Sequence, residues 1–309
     1  MRFSTISCMA LTSIMGVSAL ALPPMTKRQA MDIDPVILQY ALTLEHLENA
    51  FYKQALSKWD QKAFTDAGFP ASFYDQLKYV AHDEEGHVIY LEAGLTAAGA
   101  KPVAACTYSF PMTDPKSFVA LALVIEGVGV SAYLGAAADI TSKAYLTAAG
   151  SILVTEALHQ AAERNAIGEI PMANVFGTPM GLNAVYTIAS GFITACPSTN
   201  MALPVKAYPS LTLVGGQPTS IVASIELQPK TMPTGTFYAT FVSGMEILPV
   251  AVTVANGVVT APVPSQASGQ SYVFLTSDNS GNVTDSFILA GPTIVEITPS
   301  SPTFNLTIT

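Results

Sequence analysis

The chain has 309 residues, of which 50% are hydrophobic and only 11% are charged, and its formal net charge is -9. The length allows more than one domain. Because binding to nucleic-acid phosphates requires a basic surface, the acidic balance argues against a nucleic-acid partner.

The start of the chain is predicted to be removed from the mature protein. Residues 1–21 have a basic residue near the front, a short apolar middle and a small-residue end, which is the pattern of a secretory signal peptide. Residues 22–28 end in Lys27-Arg28, a dibasic pair of the kind that secretory processing proteases cut. We interpret this segment either as a propeptide or as an ordinary flexible terminus. The expected location is therefore extracellular.

Ligand-type residues then occur in apolar helical segments. The first segment, 36–56, contains Glu45, and the second, 81–95, contains Glu84 and His87 three residues apart. Positions i and i+3 share one face of a helix, so a carboxylate and an imidazole at this spacing can point at a common centre. A single pair of this kind is weak evidence, since chance Glu-x-x-His spacings are common in helices.

The third and fourth segments repeat the same order. Residues 117–138 contain Glu126 as their only charge, and residues 151–168 contain Glu156 and His159, again at i and i+3. Two single glutamates alternating with two Glu-x-x-His pairs on four helices is the arrangement that builds a carboxylate-bridged dimetal site in a bundle core.

Simpler interpretations of these residues stay open. Glu126 could lie in a neutral or water-filled pocket, and the two histidines could be hydrogen-bonded core residues. Segment 117–138 is long enough to span a membrane, but its central Glu, neighbouring glycines and lack of a basic flank argue against a span. Glu48 is ambiguous as a ligand, since its counterpart in the third segment is Gly129. Three further residues are expected to face solvent or to support the ligands from outside: His46, His82 and Glu85.

Two tyrosines accompany the single glutamates. Tyr52 follows Glu45 by seven residues and Tyr133 follows Glu126 by seven residues, so each tyrosine shares a helix face with its glutamate. These side chains could hydrogen-bond a ligand or carry an electron, although packing is the more common role of a helical tyrosine.

The segment between the second and third helices is predicted to be a long crossover. Residues 99–115 carry three prolines and cannot form a regular helix. Cys106 lies in this crossover and Cys196 lies beyond the last helical segment, and an even pair in an oxidising compartment predicts one disulfide. A thiolate metal site lacks a nearby partner cysteine. A fifth helix is expected to begin with Thr178 as its cap and Pro179 in its first turn, and to end near residue 197.

The last third of the chain changes to short strand-like runs. After a linker at 198–206, residues 207–309 alternate runs rich in Val, Ile, Thr and aromatic residues with Gly, Pro, Asn and Ser, and the last two of these runs are 285–289 and 293–297. This pattern predicts an antiparallel β-sandwich, which we interpret as immunoglobulin-like. Hairpin turns are expected at Asn256-Gly257 and at 279–281.

This β region is not expected to carry metal chemistry, because it contains no His and no Cys after Cys196. It contains two N-glycosylation acceptors, Asn282 and Asn305. We consider a wall-associated or partner-binding module on one side, and a spacer or a lid on the bundle on the other.

The helical motifs resemble the ferritin-like superfamily, over residues 32–197. The resemblance rests on LTLEHLENAFY, HDEEGHVIYLEAGL, VTEALHQAAERN and FGTPMGLNAVYTIASGFITACP. More narrowly, these motifs are similar to the secreted fungal ferritin-like proteins described as stress-response (Rds1-type) or late sexual development proteins. The resemblance implies a four-helix bundle plus a fifth helix, so the expected fold class is a helical bundle followed by an antiparallel β-sandwich.

The expected function is a dimetal carboxylate site that holds two iron or manganese ions. Glu84 and Glu156 would bridge the ions, and each ion would take one further carboxylate and one imidazole, from Glu45, Glu126, His87 and His159. With O2 or peroxide as a small-molecule partner, such a site could act as a ferroxidase, as a manganese-catalase-like enzyme or in substrate oxidation.

The alternative is a non-enzymatic secreted protein of stress or sexual development, with a structural role or a cell-wall component as its partner. The resemblance does not decide between the two functions. An oligomer is compatible with either, but a closed cage is not expected, since a glycosylated β-domain on every bundle would hinder the packing of a shell.

Overall fold

The computed structural model describes residues 33–215, 219–220 and 223–303. The predicted signal peptide, the Lys27-Arg28 pair and the Asn305 acceptor lie outside these residues. Six helices form the first part of the described chain: α1 Ile33–Lys58, α2 Gln61–Asp66, α3 Ala71–Ala97, α4 Pro115–Ala136, α5 Lys143–Ala166 and α6 Leu182–Ala189. Helices α1, α3, α4 and α5 cover the four segments predicted from the ligand-type residues, except for the last two residues of the third and fourth segments. The short α2 was not predicted.

Helix α4 lies in the core of the bundle. Its N-terminus has a reciprocal cap, in which the Asp114 carboxylate accepts from the Ser117 amide and the Ser117 hydroxyl accepts from the Asp114 amide. Among the described residues it is the one helix long and apolar enough to cross a membrane, but 72% of its most apolar 18-residue stretch is buried inside the protein. This burial is what a core helix of a bundle shows, in agreement with the sequence argument against a span.

The crossover between α3 and α4 contains no helix, as its prolines predict. Its strand β1, Thr107–Tyr108, pairs antiparallel with β2, Ile193–Ala195, which follows α6. Next to this small sheet, Cys106 and Cys196 form a disulfide with their Cα atoms 4.2 Å apart. The predicted disulfide therefore joins the crossover to the end of the helical region.

Two side chains of α1, Gln39 and His46, also contact the crossover. The position of His46 differs from the predicted one. His46 does not face solvent: it is buried, with its Nε2 atom 3.0 Å from the carbonyl oxygen of Val103. The side-chain amide of Gln39 donates to the Lys101 carbonyl and accepts from the Val103 amide. His46 therefore fastens the crossover and takes no part in the candidate site.

Helix α6 begins later than predicted. Its N-cap is Gly181, and the helix ends at Ala189, short of residue 197. The hydroxyl of Thr178, the predicted cap, instead accepts a hydrogen bond of 2.7 Å from the amide of Gly244 in the β region. A tertiary contact thus replaces the expected local cap.

Nine strands follow in the described part of this region: β3 Leu211–Val214, β4 Thr219–Ser220, β5 Ser224–Pro229, β6 Tyr238–Ser243, β7 Glu246–Ala251, β8 Thr253–Ala255, β9 Val258–Pro262, β10 Gly269–Thr276 and β11 Ile288–Thr298. They form a four-stranded sheet in the order β3-β5-β9-β8 and a five-stranded sheet in the order β4-β11-β10-β6-β7. All neighbours are antiparallel except β4 and β11.

The two sheets confirm the predicted immunoglobulin-like sandwich. In immunoglobulin lettering the orders read A, B, E, D and A′, G, F, C, C′. Asn256 and Gly257 have φ values of 52° and 78°, as a tight hairpin turn between β8 and β9 requires. Residues 279–281 lie instead in the longer connection between β10 and β11, and the two strands expected at 285–289 and 293–297 are largely merged in β11.

The sandwich packs directly on the bundle. Val242, Tyr272 and Phe274 of β6 and β10 belong to the same hydrophobic cluster as Phe51 of α1 and Phe118 of α4. The β region is therefore packed against the helices.

Two polar contacts fix this packing in place. Arg164 of α5 makes a bidentate ion pair with Glu296 of β11, with nitrogen–oxygen distances of 2.7 and 2.6 Å. The hydroxyl of Tyr272 in β10 donates to the carbonyl oxygen of Gly127 in α4. Both contacts are buried, so they fix the orientation of the two parts as well as holding them together.

Candidate metal centre

The six side chains predicted as ligands meet in one buried cluster, contributed by α1, α3, α4 and α5. They form two overlapping groups, in each of which the potential ligand atoms all lie within 4.8 Å of one another: Glu45, Glu84, His87 and Glu156 in one, and Glu84, Glu126, Glu156 and His159 in the other. Glu84 and Glu156 belong to both groups. This placement is what two bridging carboxylates require.

In the first group, three carboxylates surround one imidazole nitrogen. The Nδ1 atom of His87 lies 3.2 Å from Glu45 Oε2, 3.6 Å from Glu84 Oε2 and 3.3 Å from Glu156 Oε1. This ring nitrogen therefore faces the interior of the cluster together with one oxygen from each carboxylate.

The second group repeats this geometry around His159. Its Nδ1 atom lies 3.0 Å from Glu84 Oε1 and 3.2 Å from Glu126 Oε2. The opposite nitrogen, Nε2, lies 3.3 Å from a carboxylate oxygen of Asp83. Glu84 thus presents one oxygen to each histidine, and Asp83 orients the second ring from outside, as carboxylates commonly do for metal-binding histidines.

The cluster leaves several buried polar atoms without hydrogen bonds among the described residues. All four glutamates are 0% exposed, yet Glu45 Oε2 and both carboxylate oxygens of Glu84 and Glu156 have no hydrogen-bond partner among the described residues. The His87 Nδ1 atom is in the same situation. Buried polar groups without partners cost free energy. Since these atoms converge on shared points, the residues fit the coordination of cations.

The electrostatics of the cluster agree with this fit. Burial and the charge of Glu126 raise the pKa of Glu84 to about 7, and burial and the charge of Glu84 raise the pKa of Glu156 well above its usual value. Burial lowers the pKa of His159, but the neighbouring carboxylates of Glu126 and Glu84 outweigh this and raise the pKa to about 12. The cluster carries an excess of negative charge that divalent cations would neutralise.

The two tyrosines contact the single glutamates, but not those of their own helices. Tyr133 of α4 donates its hydroxyl to Glu45 of α1, and Tyr52 of α1 contacts Glu126 of α4. On each helix the tyrosine follows the glutamate by seven positions. Because α1 and α4 run antiparallel, the tyrosine of one helix lies beside the glutamate of the other. The sequence predicted the shared face and could not predict the exchange of partners.

A fifth buried carboxylate, which the sequence analysis missed, also contacts Tyr52. Glu163 lies seven residues after Glu156 on α5, and one of its carboxyl oxygens lies within hydrogen-bonding distance of the Tyr52 hydroxyl. A phenol has one proton, so Tyr52 cannot donate to Glu126 and Glu163 at once. Burial and the charge of Glu126 raise the pKa of Glu163 well above its usual value. The seven-residue spacing was the available signal.

Glu48, the ambiguous residue, lies beside the cluster. It is 3% exposed, and burial and the charge of Glu156 raise its pKa well above its usual value. A methyl group on Gly129 would lie 2.6 Å from a Glu156 oxygen and 2.9 Å from a Glu48 oxygen. The glycine therefore makes the room in which Glu48 approaches Glu156. Among the remaining predictions, His82 and Glu85 lie on the surface as expected.

The chain is similar in sequence to known proteins. The sequence model of the family described as ferritin-like domain matches residues 33–169. The chain is 25% identical to protein Rds1 of Schizosaccharomyces pombe over 251 residues, which is 81% of this chain and 61% of that protein. Among solved structures, a conserved hypothetical protein from Mycobacterium tuberculosis aligns with a TM-score of 0.37 and 18% identity, over 46% of this chain and 96% of that one.

The two sequence matches confirm the predicted resemblance. The matched residues 33–169 contain α1 to α5 and all six clustered side chains. The chain therefore contains a region that matches the ferritin-like domain and is similar to an Rds1 protein.

Proposed function

We propose that this protein is a secreted oxidative metalloprotein whose ferritin-like bundle binds two iron or manganese ions. The observation that carries the proposal is the convergence of fully buried carboxylate oxygens from Glu45, Glu84 and Glu156 that have no hydrogen bonds among the described residues. A purely structural bundle would gain stability by replacing such a cluster with apolar side chains.

The geometry supports a distinct role for each residue. Glu84 and Glu156 would bridge the two ions, since both carboxylates belong to both groups. Glu45 and His87 would complete one coordination sphere, and their counterparts in the other group, Glu126 and His159, would complete the second. When bound, iron or manganese would supply redox chemistry toward O2 or peroxide.

Neighbouring residues orient these ligands. The tyrosine hydroxyls bind the outer oxygens of Glu45 and Glu126 and leave the inner oxygens facing the cluster. The His87 side chain is 12% exposed and the His159 side chain 6%, so the site approaches the surface along the edges of these rings. A molecule as small as O2 or peroxide could enter there, which supports a ferroxidase-like or manganese-catalase-like activity.

Secretion is supported by two independent features. The Cys106–Cys196 disulfide is compatible with an oxidising, extracellular location. The first residues have the composition of a signal peptide. We include retention at the cell wall and a role in stress or development in the proposal, by similarity to the Rds1-type proteins.

Elemental analysis of matched variants tests the metal proposal. Glu84→Gln combined with Glu156→Gln removes both bridging charges, whereas Glu85→Gln removes one exposed charge from the same helix. We expect about two iron or manganese ions per chain in the wild type and in Glu85→Gln, and loss of both ions in the double variant. An absence of bound metal after anaerobic loading with Fe²⁺ and Mn²⁺, in a folded wild type, would refute the proposal.

A further inference from the structure

An apolar cavity of about 180 Å³ lies between α1, α3, α4 and α5, apart from the proposed ligands. Its walls on α3 and α5 consist partly of small residues, among them Ala93, Gly94, Ala148 and Ala149. Because these side chains are too short to meet one another, the helices leave open space where a bundle core is normally filled. Such a space needs an explanation beyond the stability of the fold.

The cavity adjoins the metal centre. Three of its wall residues lie four positions, or about one helical turn, from a proposed ligand on the same helix: Ala41 from Glu45, Leu91 from His87, and Ile152 from Glu156. Tyr133 also lines the cavity, and its hydroxyl donates to Glu45. A molecule in the cavity would therefore contact the tyrosine that holds one of the ligands.

The lining determines the chemistry of the occupant. Aliphatic side chains and tyrosine rings form the wall, and no charged side chain lines the cavity among the described residues. A carboxylate or phosphate group would therefore lose its hydration without gaining a partner. Only an uncharged, mainly apolar molecule suits this environment.

The volume limits the size of that molecule. An apolar cavity of about 150 Å³ in another protein stays dry and binds benzene, so 180 Å³ has room for a ring with one or two additional carbon atoms. The wall includes Tyr90, which is 57% exposed, so the cavity reaches the surface of α3 and offers a path of entry.

We propose that this cavity binds an organic substrate of the proposed metal centre in addition to O2 or peroxide, and that this substrate is a small, uncharged apolar molecule of about the size of a substituted benzene. The substrate role rests on the proposed metal function, whereas the binding of such a molecule does not. The experiment therefore measures binding first in metal-free protein.

Toluene serves as the probe, and calorimetric titration or ligand-observed NMR as the measurement. We expect saturable binding to the metal-free wild type, with benzoate failing to bind because its charge finds no partner in the cavity. Ala149→Phe should fill the space and weaken toluene binding by at least about tenfold. Ala144→Phe, the same substitution at an exposed position of the same helix, should leave the affinity unchanged.

A second filling variant guards against misfolding. A methyl group on Gly94 meets no atom within 4 Å, so Gly94→Leu can be introduced without a backbone clash and should also weaken binding. Circular dichroism confirms that each variant is folded. Absence of toluene binding in folded wild type, or undiminished affinity in both folded filling variants, would overturn the proposed pocket.

The substrate role is tested with Co²⁺ as a spectroscopic probe of the metal centre. Toluene should shift the visible absorption of the cobalt-loaded wild type and should have no effect on cobalt-loaded Ala149→Phe. Toluene binding without such a shift would leave a ligand pocket but refute its role at the metal centre. Failure of the protein to take up cobalt, iron or manganese would refute the proposed function, and that failure is distinguishable because toluene binding is measured without metal.

Discussion

Hydroxyl groups from outside the proposed ligand set hold two of its glutamates in place. The Tyr133 hydroxyl binds Glu45, and the Tyr52 hydroxyl binds Glu126, in each case at the oxygen that faces away from the histidines. A carboxylate fixed at one oxygen presents the other in a defined direction. Interactions of this kind usually tune metal affinity without contributing a ligand atom.

Removal of the Tyr133 hydroxyl should weaken metal binding. In Tyr133→Phe the outer oxygen of Glu45 loses its donor, so we expect the metal affinity to fall by about 10–100-fold, as measured by competition with a chelator. Tyr40→Phe is the control, since its buried hydroxyl donates to the Leu182 carbonyl and touches no proposed ligand. Equal affinities of the two variants would show that Tyr133 only fills space.

The sequence predicted the residues of the site better than their connections. Spacing alone identified the six clustered side chains, because a helix places i and i+3 on one face whatever surrounds it. The contact of Asp83 with His159 depends on how α3 packs beside α5. The exchange of tyrosine partners depends on the antiparallel arrangement of α1 and α4. These contacts between helices are set by tertiary packing, which no local sequence pattern encodes.

At the scale of the helices, Gly129 shows how α4 accommodates the cluster. An added methyl group would come within 2.6 Å of Glu156 Oε2. Gly129→Ala should therefore displace a proposed bridging carboxylate and reduce metal content, although alanine favours helix formation by about 1 kcal/mol over glycine.

Gly150→Ala on α5 is the matched control for Gly129→Ala. Its added methyl group meets no atom within 4 Å, so this variant should keep its metal and gain thermal stability. Elemental analysis and thermal unfolding measure both effects. Full metal content in Gly129→Ala would show that the carboxylates do not need this space.

The disulfide anchors the crossover between α3 and α4 to the end of the helical region. It joins residues 90 positions apart and ties the α3–α4 connection to the segment after α6. Replacement of both cysteines by serine should lower the free energy of unfolding by about 2–4 kcal/mol, chiefly by freeing the unfolded chain. Denaturant titration checks the value, and reduction of the wild type should reproduce it. An unchanged midpoint in both experiments would contradict the expected role.

Helix and strand identities were largely predictable, whereas their ends were not. Thr178 followed by Pro179 has the local pattern of a helix start, yet the Thr178 hydroxyl binds the sandwich and α6 begins at Leu182. The break expected between the strands 285–289 and 293–297 does not interrupt β11, since residues on both sides of it pair with β10. Tertiary partners decided both cases against the local signal.

For the whole molecule, the sequence predicted two domains and left open whether the second packs on the first. Strand periodicity and turn residues indicated a sandwich, and its immunoglobulin order followed from the usual ways of connecting short antiparallel strands. The sequence could not show which sheet faces the bundle. The contact rests on apolar side chains such as Tyr272 and Phe274 that any strand core could contain, and on one ion pair that spans 132 positions.

That ion pair predicts that the bundle and the sandwich unfold together. Arg164→Met leaves the buried Glu296 carboxylate without its guanidinium partner and should cost about 3–5 kcal/mol, whereas combining it with Glu296→Leu should restore much of the loss. Trp59, the single tryptophan of the chain, packs against the bundle core and reports its unfolding by fluorescence.

Because Glu296 belongs to the sandwich, Glu296→Leu alone should also move the Trp59 transition to lower denaturant. Glu226→Leu, on an exposed position of β5, is the matched control and should leave the transition in place. If Glu296→Leu changes only the strand signal in circular dichroism, the two parts unfold independently and the ion pair does not couple them. If the Trp59 transition shifts together with the strand signal, changes in the stability of the sandwich also change the stability of the helices that form the candidate metal centre.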